Sequence, residues 1–290
     1  MNRTNRRYFA SQASLGVMYV LTVLALIPLA LVLWFTITKG LPSVMHPQFF
    51  FDVEQPPCEP KCPAVLDAGV EHAIVGTGIM VGLASLMANP VGILAGIYLA
   101  EYSRAQWSAW VRLACDVLVG TPSIAIGLFV YAFLVVPFHH FSGYSGAVAL
   151  AILMLPIVAR TTEGAVVLIP NGLRESGLAL GLARWRVSLQ LILPAAAPGV
   201  ITGALLAVAR AGGETAPLLF TAFGAHILVL DPNMAMQALP LTVYKYALLP
   251  YKSLQAQAWG AALVLIILVL AVNLVSRYVL RRQIALASSL

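Results

Sequence analysis

Charge is scarce in this chain: Asp, Glu, Lys and Arg make up 10% of its 290 residues, against 60% hydrophobic. A soluble domain carries about a quarter charged residues, so the composition excludes an ordinary water-soluble fold. No Gly-x4-Gly-Lys-Ser/Thr loop occurs, so the chain does not bind and hydrolyse ATP by itself. There is no His-Glu-x-x-His, no Gly-x-Ser-x-Gly and no span with two aspartates, which removes the usual intramembrane hydrolase centres. No basic cluster is set among soluble aromatic residues, so no nucleic acid is expected as a partner. Internal repeats and low-complexity segments are also missing. Any energy input must come from a gradient or from another protein.

Cysteine is nearly absent, with three residues. Cys115 lies in an apolar run and reads as an inert core thiol. Cys58 and Cys62 flank Glu59-Pro60-Lys61 in a polar loop and form a small disulfide if that loop faces an oxidising side; two free thiols are the alternative. A metal site adding His46 matches no familiar zinc spacing, so no metal is expected.

What the chain does have is apolar length. A helical span needs about 20 apolar residues. Six are expected, at 15–37, 72–99, 107–136, 144–169, 198–222 and 257–277. Arg3, Arg6 and Arg7 precede the first run, as in a signal peptide. That run exceeds a signal core of about 7–15 residues and lacks a small-x-small site, so it reads as an uncleaved span. The second span contains Asn89-Pro90 and the third Gly120-Thr121-Pro122-Ser123, so both should bend or unwind. Such breaks need neighbours or a wet cavity to satisfy the freed backbone groups. A packing kink is the reading at Pro90, whereas a cavity lining stands equally at 120–123.

Basic residues near span ends set orientation. One side holds Arg3, Arg6, Arg7, Arg104, Arg174, Arg184, Arg186, Arg277, Arg281 and Arg282; the other holds only Lys39, Lys61, Lys245 and Lys252. Both termini and residues 170–194 are therefore expected inside, and the loop 38–71 with its cysteines outside. His139 and His140 fall in an outer turn. Tyr244, Tyr246 and Tyr251, with Lys245 and Lys252, look like an interfacial aromatic belt.

Ionisable groups at membrane depth are costly and normally face a cavity or a partner. Arg160 and Glu163 are three apart, and Arg210 and Glu214 four apart, so each pair can share a helical face. They either lock helix packing or form a polar pathway whose arginines meet an anion. The pathway is the reading adopted for Arg210 and Glu214; for Arg160 and Glu163 both stand. Asp116 and Glu101 are expected near an interface or paired with Arg112 and Arg104.

Residues 170–194 are too polar to span and too regular for a slack linker. Leu182, Trp185, Leu189 and Ile192 fall on one helical face, and Gly181 sits where two short helices must turn. The pattern Glu175-Ser176-Gly177, three residues, Gly181, nine residues, Leu191-Ile192-Leu193-Pro194 resembles the coupling (EAA) loop of binding-protein-dependent ABC importer permeases. The segments Thr121-Pro122-Ser123-Ile124-Ala125-Ile126-Gly127-Leu128, Leu155-Pro156-Ile157-Val158-Ala159-Arg160-Thr161-Thr162-Glu163 and Arg210-Ala211-Gly212-Gly213-Glu214-Thr215-Ala216-Pro217-Leu218 resemble phosphate-importer permeases of the PstA type.

That resemblance implies an all-α integral membrane protein of the type I ABC importer (MetI-like) architecture, one permease domain over 1–290. It implies a non-catalytic permease subunit for inorganic phosphate in a bacterial cytoplasmic (inner) membrane. The partners implied are a similar second permease in a heterodimer, two ATPase subunits holding ATP and Mg, an extracytoplasmic phosphate-binding protein and membrane lipid. This chain itself would hold no cofactor. Arg210, Glu214, Thr215, Arg160 and Glu163 would line the pathway; Glu175, Gly181, Trp185, Leu193 and Pro194 would serve ATPase coupling. Sulfate or molybdate import is the alternative within the class, and an ion channel or membrane-embedded enzyme the alternative outside it.

Overall fold

The computed structural model describes residues 3–53, 69–103 and 106–287. Helix dominates, and among the described residues the only β pairing is an isolated bridge between Phe223 and Met236. Six spans result if the bent third is counted as one. They are Ser11–Val44, Glu71–Glu101, Gln106–Gly120 with Ser123–Phe138, Gly143–Val167, Arg184–Ala211 and Lys252–Val275. A lipid-facing backbone must satisfy its own polar groups, which is why apolar runs of this length close into helices.

The fourth span is the hub: 56% of its most apolar stretch is buried inside the chain, against 6% for the first. Met80, Ala84 and Ala88 of the second span pack on Leu150, Met154 and Val158 of the fourth, with Ala207 and Ala211 of the fifth behind them. Small residues let these helices approach closely, as membrane bundles require where lipid supplies no hydrophobic drive between them. At Gly96 an added Cβ would stand 2.5 Å from the Ala159 carbonyl oxygen and the Thr162 Cβ.

Two breaks interrupt the bundle. Pro122 disfavours helical backbone at Thr121, and the chain bends by 102° before helix resumes at Ser123. The fifth span stops at Ala211, where Gly212-Gly213 leads to the short helix Ala216–Thr221 with Pro217 in its first turn. Pro90 causes no such break: the second span runs through it from Glu71 to Glu101. The Asn89 Oδ1 is left buried without a hydrogen bond.

The fifth span also differs from its expected 198–222. It begins at Arg184, fourteen residues early by the numbering, and passes through a π-helical stretch at Val187–Ile192. The second short helix expected in 170–194 is therefore the foot of this span. The wider π turn shifts the helical phase. Val187, Ser188 and Ile192 are buried, while Trp185 and Leu189 remain 55% and 39% exposed, so Leu182, Trp185, Leu189 and Ile192 do not form one packed face.

On the opposite end, the aromatic belt is only partial. Tyr246 is buried against Leu254 and Ala258, and Lys245 donates to the Phe223 carbonyl. Tyr244 stays exposed. His139 takes a left-handed backbone at an exposed turn, as a loop end would.

Candidate functional site

The two breaks meet. A cavity of about 230 Å³ is lined by Leu118, Val119, Thr121, Pro122 and Ser123 from the bend, Leu153 and Ile157 from the fourth span, and Arg210 and Glu214 from the end of the fifth. Arg210 Nε lies 3.6 Å from Glu214 Oε1, with the side chains 58% and 18% exposed. Their closeness does not come from a continuous helical face, because the helix ends at Ala211. A tight turn brings them together instead, with Gly213 N–H on the Arg210 carbonyl at 3.1 Å and Glu214 N–H on the Ala211 carbonyl at 3.2 Å. Glycines 212 and 213 allow that turn at little steric cost. Thr215 is half-buried just before the short helix Ala216–Thr221 and is not among the residues lining the cavity.

The long, loose contact matters chemically. A guanidinium keeps its charge at any physiological pH and presents a planar fork that fits oxyanions in two-point contact. At 3.6 Å Glu214 holds Arg210 only loosely, and most of the guanidinium's donors have room to take an anion.

One turn from the cavity along the third and fourth spans lies a ladder of charges. Arg112 Nε donates to Glu163 Oε1 at 2.7 Å, Arg160 Nη1 to Glu163 Oε2 at 2.8 Å, and Arg160 Nη2 to Asp116 Oδ1 at 2.7 Å. Arg160 and Glu163 are thus not an isolated pair, and Asp116 is bound to Arg160 rather than to Arg112. Glu101 likewise pairs with Arg174 at 2.9 Å; Arg104, its expected partner, lies outside the described residues. The third span crosses the fourth so that Arg112 and Asp116, one turn apart, meet Glu163 and Arg160. The spacing of Arg112 and Asp116 was visible in the sequence, but nothing local named their partners.

At the foot of the bundle, the helix Asn171–Ala179 ends in a Schellman cap. Gly181 N–H reaches the Leu178 carbonyl at 2.9 Å and Leu182 N–H the Gly177 carbonyl at 3.2 Å, with Gly181 at φ +79°. Gly177 packs into Val187 and Leu191 across the turn. Glu175 and Leu180 face outward, and Trp185 is stacked beneath the Arg186 guanidinium at 5.2 Å. Leu193 instead leans into the core around Ile97, Val166 and Ile192, and Pro194 is exposed in the next turn. Cys58 and Cys62 lie outside the described residues. Cys115 is buried. No group of three metal-ligating side chains occurs among the described residues.

A six-span helical bundle with a charged cavity at two helix breaks and an exposed helical foot has the form of a membrane permease. The chain belongs to the family described as the binding-protein-dependent transport system inner membrane component, matched over residues 92–284. It is 40% identical over 264 residues to a phosphate transport system permease protein PstA of Haemophilus influenzae, covering 91% of each chain. Against the PstA of Xylella fastidiosa strain Temecula1 it is 43% identical, covering 85% of this chain and 84% of the other. A probable PstA of Methanocaldococcus jannaschii is 35% identical over 97% of both. Among solved structures, an inward-facing MetNI methionine ABC transporter chain superposes with a TM-score of 0.59 at 22% identity, covering 74% of this chain and 94% of that one. The fold is that of an ABC importer permease, and the chain is a permease subunit rather than an enzyme.

Proposed function

We propose that this chain forms half of the membrane pathway of an ATP-driven importer of inorganic phosphate, with a similar second permease completing the other half. Two ATPase subunits holding ATP and Mg dock on the foot formed by Asn171–Ala179 and the turn at Gly181. An extracytoplasmic phosphate-binding protein delivers the anion at the opposite end. The subunit lies in the bacterial inner membrane with both termini and residues 170–194 in the cytoplasm, in keeping with the arginine-rich loops.

The observation that carries this reading is the cavity at Arg210 and Glu214. A fixed cation at the meeting point of two broken spans can replace part of the hydration of a passing anion. Phosphate enters the fork of Arg210 and displaces Glu214, and the carboxylate takes the arginine back once the anion has left. Glu214 can also accept the proton of hydrogen phosphate, a contact that sulfate and molybdate cannot offer. Arg160, one turn away, is charge-compensated by Glu163 and Asp116 and fixes the third span against the fourth beside the path.

The test replaces Arg210→Gln and Glu214→Gln together, which removes both charges and keeps comparable bulk. The assembled complex should form in normal yield and lose phosphate uptake into liposomes. Normal uptake by the double variant would make the pair a packing element. Uptake of sulfate in place of phosphate by the unaltered complex would move the assignment to another oxyanion.

A further inference from the structure

Beyond the cavity, a connected run of charge-assisted hydrogen bonds leads from the helix Asn171–Ala179 to the first arm of the bent third span. Arg174 Nε donates to Glu101 at 2.9 Å, and its Nη2 to the Val166 carbonyl at 2.8 Å. One guanidinium thus grips the last turns of both the second and fourth spans. The pair is largely covered, with side chains 19% and 14% exposed. Two residues before Glu101, the Leu99 carbonyl accepts from Arg112 Nη2 at 2.8 Å, and Arg112 continues through Nε to Glu163. The end of the second span is therefore held from two sides, by an arginine of the foot and by an arginine of the third span.

The chemistry makes these contacts move as a unit. Carbonyls in the last turn of a helix lack intrahelical partners. Arg112 satisfies that of Leu99, Arg174 adds to the Ile169 N–H at that of Val166, and each arginine also meets a carboxylate. Separating a half-covered pair leaves both charges poorly solvated, so the joints resist sliding. Of the bent third span, the run holds the arm Gln106–Gly120 and stops short of the arm beyond the 102° bend. The cavity lining straddles that bend, with Leu118 and Val119 on one side and Ser123 on the other. A displacement of the foot thus reaches the Leu118 and Val119 side of the bend through these joints, and the Ser123 side only through the bend itself.

We propose that Arg174, Glu101 and Arg112 are positioning residues of a mechanical relay that carries movement of the docked foot to the first arm of the third span. The relay rests on the docking role proposed above. It assigns the coupling to side chains outside the cavity lining, with Arg174 on the covered side of the foot helix at 19% side-chain exposure.

The experiment uses the full complex in liposomes and reads phosphate taken up per ATP hydrolysed, for the unaltered chain and for Glu101→Gln, Arg174→Gln and Arg174→Lys. In the two Gln variants the ATPase should co-purify and hydrolysis should stay within about twofold, while the ratio falls about threefold or more. Arg174→Lys should fall between, because an ammonium keeps the charge but cannot span carboxylate and carbonyl as a fork does. An unchanged ratio overturns the relay. So does a proportional loss of uptake, hydrolysis and assembly in all three variants, which is the mark of a purely structural clamp. A wrong docking role shows separately, as intact coupling when Gly181 is altered.

Discussion

Arg112 Nε lies 2.7 Å from Glu163 Oε1, joining side chains 51 residues apart on the third and fourth spans. Glu163 is the better covered partner, at 13% side-chain exposure, and its second oxygen is taken by Arg160. The carboxylate therefore bridges two arginines, and Asp116 at 56% exposure supplies the second negative charge of the cluster from a wetter position.

Glu163→Gln should lower the thermal stability of the purified complex by an amount equivalent to about 1–3 kcal/mol, since it leaves two part-buried cations undercompensated. Asp116→Asn should cost less than about 1 kcal/mol, as exposed ion pairs do. Melting curves for the two variants side by side check this. A larger loss for Asp116→Asn contradicts the ladder's geometry.

Gly181→Val should weaken the foot without disturbing membrane insertion. An added Cβ there meets nothing within 4 Å, so the penalty is conformational: φ +79° is a left-handed backbone that costs a side-chain-bearing residue about 1–2 kcal/mol. Co-purification of the ATPase and transport-coupled ATP hydrolysis should both drop, and Gly181→Asn, which tolerates that backbone, should retain more of each.

Two glycines of the second span should respond with opposite sign. Gly96→Ala drives a methyl into the Ala159 carbonyl and should destabilise by about 1–3 kcal/mol. Gly82→Ala enters open space and should leave the melting temperature unchanged or raise it through helix propensity worth up to about 1 kcal/mol. Equal effects would mean that the second and fourth spans are not in this close contact.

Topology is testable with single cysteines in a background free of native thiols. Leu180 is 81% exposed on the foot and Met45 is 72% exposed beyond the first span. Cysteines there should react with an impermeant thiol reagent from opposite sides of the membrane, Met45 from outside. Ser188 makes a poor probe, being 5% exposed.

Features whose causes are local could be read directly from the chain. Apolar runs become spans because the bilayer offers the backbone no other partners. Pro122 after Gly120-Thr121 breaks the third span because proline restricts the residue before it. Gly181 marks the turn of the foot because the cap it completes needs a left-handed residue. Pro90 shows the limit of such reasoning: the same residue type in the second span leaves the helix continuous. The π turn at Val187–Ile192 likewise rotated the foot away from the face an ideal period assigns. The partners of charges on different helices were decided by tertiary structure alone, whereas spacing already paired Arg160 with Glu163 and Arg210 with Glu214. Arg112 meets Glu163, Arg160 meets Asp116 and Arg174 meets Glu101 because of how the helices rotate and cross, and a hydropathy pattern carries no record of that rotation. The spacing of Arg210 and Glu214 implies a shared face on a continuous helix; the tight Gly212-Gly213 turn that joins them instead, and its meeting with the bend at Pro122 in one cavity, depend on the packing of three spans.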